Sequence, residues 1–285
     1  MSPMTMPDHD KAVITYYDTH PISEHQILEK LERDGVALDG LTEAALQNYD
    51  QDHYGGIAIT EQLADDAGIS ADHHVLDVCS GMGGPARYFA HHRGCRVTGL
   101  DLTESRVAGA TRLTSLVGLD HLVDFRRGDA QKMPFADATF DIAISQEALL
   151  HVPDKAAVIK ECARVLKPGG ILAFTDLTQP RPLPDDDMAK LGKALASVNF
   201  ASATAYRQWL EAAGFEVLIE VDRSEELKVI LTERLAMYKS LGDQTRERYG
   251  AAREKEWEEG YSFFVESVVA GRLGGCRFAA RKILM

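Results

Sequence analysis

From residue 74 onward, the apolar and polar positions alternate between the spacing of buried strands and that of amphipathic helices. Short apolar runs predict strands at 74–79, 96–101, 122–127, 140–145 and 171–175. Helical spacing fills the intervals at 84–93, 104–117 and 155–166, and Lys-Pro-Gly-Gly at 167–170 is typical of a helix stop. This regular alternation predicts a mostly parallel, doubly wound sheet with right-handed crossovers.

The pattern changes on both sides of this region. Residues 204–213 are predicted to form a helix and 215–221 a sixth strand, followed by about fifty mostly helical residues at 225–272 and a last strand at 274–283. The first seventy residues have helical composition. We therefore expect an α/β fold with a Rossmann-like, seven-stranded sheet. The core spans 71–222, a helical cover precedes it at 1–70, and 223–285 adds a helical lid insertion plus the final strand.

Composition narrows the function classes. The chain has 285 residues with a net charge of −13, which argues against nucleic acid as a partner. No apolar run has the length of a membrane span, and the first ten residues lack the basic and apolar segments of a signal peptide, so we expect a cytoplasmic protein. The four cysteines form no CxxC pair, so no metal site is expected. The sequence does not determine the oligomeric state, and a homodimer is one of the alternatives.

The stretch at 74–87, His-Val-Leu-Asp-Val-Cys-Ser-Gly-Met-Gly-Gly-Pro-Ala-Arg, joins a strand to a helix through a glycine-rich loop. Glycines such as Gly81 and Gly83 let the backbone approach a nucleotide-like cofactor closely. The acid in the strand, Asp77, would repel the pyrophosphate of a dinucleotide. It would attract the ammonium and sulfonium of S-adenosylmethionine, which is therefore the expected cofactor.

Two further acids follow the next strands. Asp101 can accept both hydroxyls of a ribose, and the alternative is that it caps the helix that follows Thr103. Asp129 suits an adenine amino group, and the backbone N–H of Ala130 suits a ring nitrogen. The loop also fits the GxGxxA pattern of nicotinamide enzymes, but Asp77, the Gly-Asp-Ala at 128–130 and the final strand oppose that alternative.

Together these motifs resemble class I S-adenosylmethionine-dependent methyltransferases over residues 70–222. The resemblance implies that Asp77, Gly81 and Gly83 hold the methionyl part, Asp101 the ribose, and Asp129 with Ala130 the adenine. It extends the cofactor-binding candidates to Ser80, Met82 and Leu102. The family's usual glycine is replaced here by Cys79.

A narrower resemblance lies in the segments 145–155, 174–179 and 270–282, which are similar to the sarcosine/dimethylglycine N-methyltransferases. It implies a small-molecule acceptor, most simply the amine of an amino acid or related metabolite. The alternatives are O-, C- or S-methylation of a small natural product, and a non-catalytic S-adenosylmethionine-binding protein.

Candidate catalytic residues follow the fourth strand. Gln146 can hydrogen-bond cofactor or substrate, and His151 carries an imidazole, a side chain whose ordinary pKa suits a general base, or it simply packs the loop. Tyr17 and Tyr54 are expected to cover the cofactor in part. Arg272 and Arg277 can receive a substrate carboxylate, although surface arginines are the alternative interpretation.

Overall fold

The computed structural model describes residues 6–18 and 22–284, with side chains from residue 9 onward. Its seven strands form one sheet in the order β3-β2-β1-β4-β5-β7-β6, in which β7 runs antiparallel to both neighbours. This confirms the predicted doubly wound, mostly parallel α/β fold. The strands are β1 His74–Val78, β2 Arg96–Asp101, β3 Val123–Arg127, β4 Phe140–Gln146, β5 Leu166–Thr178, β6 Phe215–Asp222 and β7 Gly274–Lys282.

Helices flank the sheet and cover its carboxyl edge. Those before the sheet are α1 Met6–Asp18, α2 Glu24–Arg33, α3 Glu43–Leu46 and α4 Gly56–Ala67. Those between strands are α5 Gly84–Arg93, α6 Glu104–Leu116, α7 Lys155–Val165, α8 Asp185–Leu195 and α9 Ala203–Ala212, followed by α10 Ser224–Ser240, α11 Gly242–Tyr249 and α12 Ala251–Val269. No helix in the described part of the chain combines the length and apolar character that a membrane crossing needs.

Alternate side chains of the central strands enter separate cores on the two faces of the sheet. Leu76 joins a cluster with Phe174 and Phe278 on one face, and Val75 joins Phe89 and Ile144 on the other. Continuous apolar runs in β1 and β4 follow from this, since both faces are covered by helices. A third cluster links α8, α10 and α12 to Leu150 and Leu177, beyond the carboxyl ends of the strands.

The structure departs from the sequence prediction around β5. The predicted breaker at 167–170 does end α7 at Val165, but the same residues belong to β5, which begins at Leu166 rather than at 171. The positive φ of Gly169 and a shift in register between Phe140 and Ile142 let β5 bulge and continue its pairing with β4. The helix α8 was not predicted.

Candidate active site

The glycine loop after β1 is held by a hydrogen bond to Asp101 and packs closely against the backbone of the cover. The Gly81 N–H donates to Asp101 Oδ2 at 2.9 Å, and the Thr103 N–H donates to Asp101 Oδ1 at 2.9 Å. Both oxygens of Asp101 therefore accept backbone N–H groups, which agrees with the capping alternative and also fixes the loop, while its contact with a ribose stays a prediction. A Cβ on Gly84 would lie 2.4 Å from the Asp50 carbonyl oxygen, which leaves no room for a side chain there.

Asp77 presents an unsatisfied carboxylate at the end of β1. The residue is 3% exposed, and its Oδ2 has no hydrogen-bond partner. Burial, and then the nearby Asp101 carboxylate, raise its pKa to about 7. The Asp101, Asp77 and Asp129 carboxylates add to the effect of burial in raising the pKa of the Cys79 thiol. The buried Asp77 carboxylate, with an unpaired oxygen and the Asp101 carboxylate nearby, suits a cationic ligand.

A small cavity of about 40 Å³ lies beyond the ends of β1 to β4. Predicted residues line it, together with residues of α1 that were not predicted. The lining consists of His9, Asp10, Val13, Cys79, Leu100, Leu102, Gly128, Asp129, Ala130, Gln131, His151, Val152 and Pro153. The cavity thus joins the expected adenine position to His151 and to the cover helix.

One tyrosine and one histidine of α1 contact the Leu149–His151 turn. The Tyr17 hydroxyl lies 2.7 Å from His151 Nε2, and His9 Nε2 lies 2.7 Å from the His151 carbonyl oxygen. Arg106 of α6 donates to the Tyr17 carbonyl at 2.8 Å and lies over its ring. Tyr17 therefore lies against the turn with its hydroxyl on the candidate base, and its expected role of covering the cofactor stays a prediction.

Asp176 of β5 positions the turn that carries His151. Its Oδ1 accepts the Leu150 N–H at 3.2 Å, and its other oxygen accepts the Tyr206 hydroxyl. The Ser197 hydroxyl donates to the Leu150 carbonyl at 2.8 Å, so the turn is held from both sides. Burial raises the pKa of Asp176 to about 6. Asp176 lies within the 174–179 segment, whose sequence did not indicate this role.

Gln146 belongs to a polar network that the sequence did not predict. The Thr60 hydroxyl donates to Gln146 Oε1 at 3.1 Å and lies 3.0 Å from His53 Nε2. Burial lowers the pKa of His53 to about 4, so its imidazole is neutral. Gln146 Nε2 and His53 Nδ1 are buried without a hydrogen-bond partner, which leaves one amide donor and one imidazole nitrogen for a ligand.

Aromatic rings and a cation lie on the side of this network that faces α10 and α12. Tyr54 packs on Phe264 with ring centroids 5.9 Å apart, and the Tyr261 ring lies at the same distance from Phe264. The Arg234 guanidinium lies 5.1 Å above the Tyr54 ring and donates to the His53 carbonyl at 3.4 Å. No carboxylate pairs with Arg234 within the described residues. The Tyr261 hydroxyl is buried and unsatisfied.

Glu147 connects this lid region to β4. It is buried at a φ of 50°, accepts the Tyr54 N–H, and pairs with Arg223 at 3.3 Å. Burial raises its pKa to about 7. An acid directly after a buried strand was the available signal for Glu147, whereas nothing in the pattern of α10 distinguished Arg234.

Other candidate residues lie elsewhere. The Met82 side chain packs with Ile27 and Leu113 in the cover cluster, so only its backbone remains at the loop. Arg272 pairs with Asp187 at 2.6 Å, and Arg277 contacts Asp66, so both are occupied by carboxylates of this chain. Ser80 is buried, and its hydroxyl has no partner.

Comparison with known proteins identifies the core. Residues 76–174 match a family model described as a methyltransferase domain. The chain is 33% identical over 159 residues to the sarcosine/dimethylglycine N-methyltransferase of Halorhodospira halochloris, covering 56% of this chain and 57% of that one. It is 32% identical over 200 residues to 27-O-demethylrifamycin SV methyltransferase of Amycolatopsis mediterranei, covering 68% and 73%. The chain thus spans less than two thirds of the first relative and more than two thirds of the second.

The fold recurs in a solved structure of Haemonchus contortus phosphoethanolamine N-methyltransferase 2, in complex with phosphomonomethylethanolamine and S-adenosylhomocysteine. The two chains superpose with a TM-score of 0.75 at 18% identity, covering 95% of this chain and 60% of that one. At this identity the similarity concerns the fold.

Proposed function

The chain belongs to the class I S-adenosylmethionine-dependent methyltransferases, and from that premise we propose that it N-methylates a small amine that carries an anionic group. The observation that supports this is a series of buried polar atoms without partners. They extend from the glycine loop to the lid and comprise Asp77 Oδ2, Ser80 Oγ, Gln146 Nε2, His53 Nδ1 and the Tyr261 hydroxyl. Buried polar groups are nearly always paired in proteins, so these atoms mark where ligands are expected.

The carboxyl edge fits the cofactor. Asp77 would receive the methionyl ammonium, Asp101 the ribose, and Asp129 with Ala130 the adenine. When bound, S-adenosylmethionine supplies a methyl group activated by the sulfonium. The protein's own contribution is to hold the acceptor in line and keep water out of the site.

Two features beside α10 and α12 favour an acceptor that carries both an anionic group and a methylated amine. Arg234 is held on the face of Tyr54 and by the His53 carbonyl, and no carboxylate of the described residues forms a direct ion pair with it, although the Glu147 carboxylate is close enough to interact with its charge. A guanidinium in this position would bind a carboxylate or phosphate. The neighbouring rings of Tyr54, Tyr261 and Phe264 would contact a methylated ammonium. The names of two similar proteins, which act on sarcosine or phosphoethanolamine, agree with this chemistry.

The acceptor amine has to lose a proton. His151 Nδ1 lies 3.3 Å from the Ala196 carbonyl oxygen, which can only accept, so in the neutral imidazole Nδ1 carries the proton and Nε2 accepts the Tyr17 O–H. The Tyr17 oxygen can then accept an N–H of the acceptor. The proton then passes to Tyr17 as the tyrosine proton passes to His151, and no net charge remains on Tyr17. His53 orients the amine through its free Nδ1, because a pKa of about 4 makes it too weak a base to retain the proton.

A second candidate is O-methylation of a natural product. It is favoured by the 27-O-demethylrifamycin SV methyltransferase, of which the match covers 73%. Turnover separates both candidates from non-catalytic binding of the cofactor.

The test is a methyl-transfer screen read by mass spectrometry, with matched acceptors. Sarcosine, dimethylglycine and phosphoethanolamine carry an anion, dimethylethanolamine does not, and phenolic acids report O-methylation. We expect turnover of an anionic amine. Arg234→Met should raise its KM by roughly 10- to 100-fold with a smaller change in kcat, as expected for a lost charge-assisted hydrogen bond. Arg126→Met is the control, since this arginine is exposed on β3.

Preferred turnover of a phenol would favour O-methylation. An unchanged KM in Arg234→Met would remove the anion site while leaving N-methylation in place. Cofactor binding without turnover of any acceptor would favour the non-catalytic alternative.

A further inference from the structure

A cluster of metal-ligating side chains lies where the cover meets the core, outside the cavity described above. Glu43 begins α3 of the cover, and His91 and His92 lie in the last turn of α5 of the core. One ligand atom from each of the three residues lies within 4.8 Å of the others, and Glu43 Oε2 is 3.7 Å from His92 Nε2.

The carboxylate of Glu43 is buried without compensation. The residue is 3% exposed, and neither of its oxygens accepts a hydrogen bond. The nearby guanidinium of Arg87 is committed to Asp50, the Met82 carbonyl and Thr114. The two carboxylates, Glu43 and Asp50, thus share one buried positive charge. An unpaired buried carboxylate is costly, and a cation beside Glu43 would remove that cost.

The two histidines face this carboxylate from the solvent side. Both are exposed, His92 stacks on Tyr88 with ring centroids 4.2 Å apart, and His91 lies edge-on to His92. Tetrahedral zinc with bonds of about 2.1 Å needs ligand atoms roughly 3.4 Å apart. Glu43 and His92 are already close to that separation, and rotation of exposed imidazoles supplies the remainder.

We propose that Glu43, His91 and His92 form a binding site for a divalent transition-metal ion, with Zn²⁺ as the ion that best suits two imidazoles and one carboxylate. The ion would join α3 to α5 and so fasten the cover to the core. A fourth position stays open to water. The proposal is independent of the reaction, because none of the three residues lines the cavity at the carboxyl edge.

Calorimetric titration of the metal-free full chain with Zn²⁺ tests the site, together with thermal unfolding at each metal concentration. We expect one ion per chain and a rise in Tm. Glu43→Gln and the double variant His91→Ala/His92→Ala should weaken binding by roughly 10-fold or more and remove the rise. His25→Ala is the matched control, because His25 pairs with Glu29 at 2.9 Å on the exposed face of α2.

Glu43→Gln also guards against a folding artefact. The amide keeps the shape and removes an unpaired buried charge, so the metal-free variant should unfold at or above the wild-type Tm. Absence of Zn²⁺ binding in the wild type overturns the proposal. So does binding that Glu43→Gln or the double-histidine variant retains, or that His25→Ala loses.

Discussion

The ion pair between Arg87 and Asp50 offers the sharpest test of how the glycine loop is held. Both side chains are almost completely buried, with Nη2 and Oδ2 2.7 Å apart. Arg87 also donates to the Met82 carbonyl at 2.7 Å and to Thr114 at 3.0 Å. The pair therefore links the cover, the loop and α6. Burial nevertheless raises the pKa of Asp50 despite the neighbouring guanidinium, so desolvation outweighs the attraction.

The effects of the two substitutions on the free energy of unfolding should therefore not add, because the second should reverse part of the loss that the first one causes. Asp50→Ala leaves a buried guanidinium with only neutral acceptors, and breaking such a pair costs roughly 3–5 kcal/mol of unfolding free energy. We expect the lower end, about 3 kcal/mol, because Arg87 keeps its contacts with Met82, Ala110 and Thr114. Adding Arg87→Met removes the stranded charge, so the double variant should recover part of that loss.

Urea unfolding of the wild type, both single variants and the double variant gives the coupling energy. Asp65→Ala is the control, because Asp65 forms an exposed pair with Arg93 and should cost less than about 1 kcal/mol. S-adenosylhomocysteine affinity is measured in parallel, since the loop loses an anchor. A loss in Asp50→Ala no larger than in Asp65→Ala, or strictly additive effects, would refute the reasoning.

Three further outcomes follow from the site. Because the pKa of Asp77 is about 7, the affinity for S-adenosylhomocysteine, measured by calorimetry, should rise from roughly pH 6 to 8 as the carboxylate ionises. Asp77→Asn should flatten this rise. Methylthioadenosine lacks the ammonium, so its affinity should not rise with pH in either protein. Cys79 has a φ of 61°, so by urea unfolding Cys79→Val should cost roughly 1–2 kcal/mol more than Cys79→Gly, and equal costs would contradict the strain. Tyr17→Phe should lower kcat by roughly 10-fold or more, with the loss shrinking at high pH as the acceptor deprotonates in solution; a loss independent of pH would argue against proton transfer.

The stability of the ligand-free protein should also depend on the ionisation of Asp77. A carboxyl whose folded pKa lies above its unfolded value of 3.8 contributes stability that is complete below that value and is lost as pH rises through the folded pKa. Ionisation of Asp77 near pH 7 therefore destabilises the free protein while it favours a cationic ligand. This opposition is expected of a residue that serves binding rather than folding.

The sequence predicted the sheet and its carboxyl edge because local signals determine both. Apolar runs specify β1 and β4, and Asp77, Asp101 and Asp129 come directly after or within strands whose ends meet at one edge. The residues proposed to bind the methyl acceptor were not predicted, because His53 and Arg234 are far apart in sequence and meet only where α10 packs on the segment before α4. Arg272 and Arg277 were considered instead, and neighbouring carboxylates occupy both.

The position of α1 connects the cover to the Leu149–His151 turn. The cavity of about 40 Å³ beneath it is far smaller than the roughly 300–1,000 Å³ of ligand pockets, and we therefore predict that α1 moves outward when a cofactor binds. The described hydrogen bonds from α1 to the turn are those of His9 and Tyr17, and both end on His151. Such a movement would separate Tyr17 from His151, and its reversal would restore their contact. The proposed proton path would therefore be complete only when the cover is closed, which ties deprotonation of the acceptor to exclusion of water from the site.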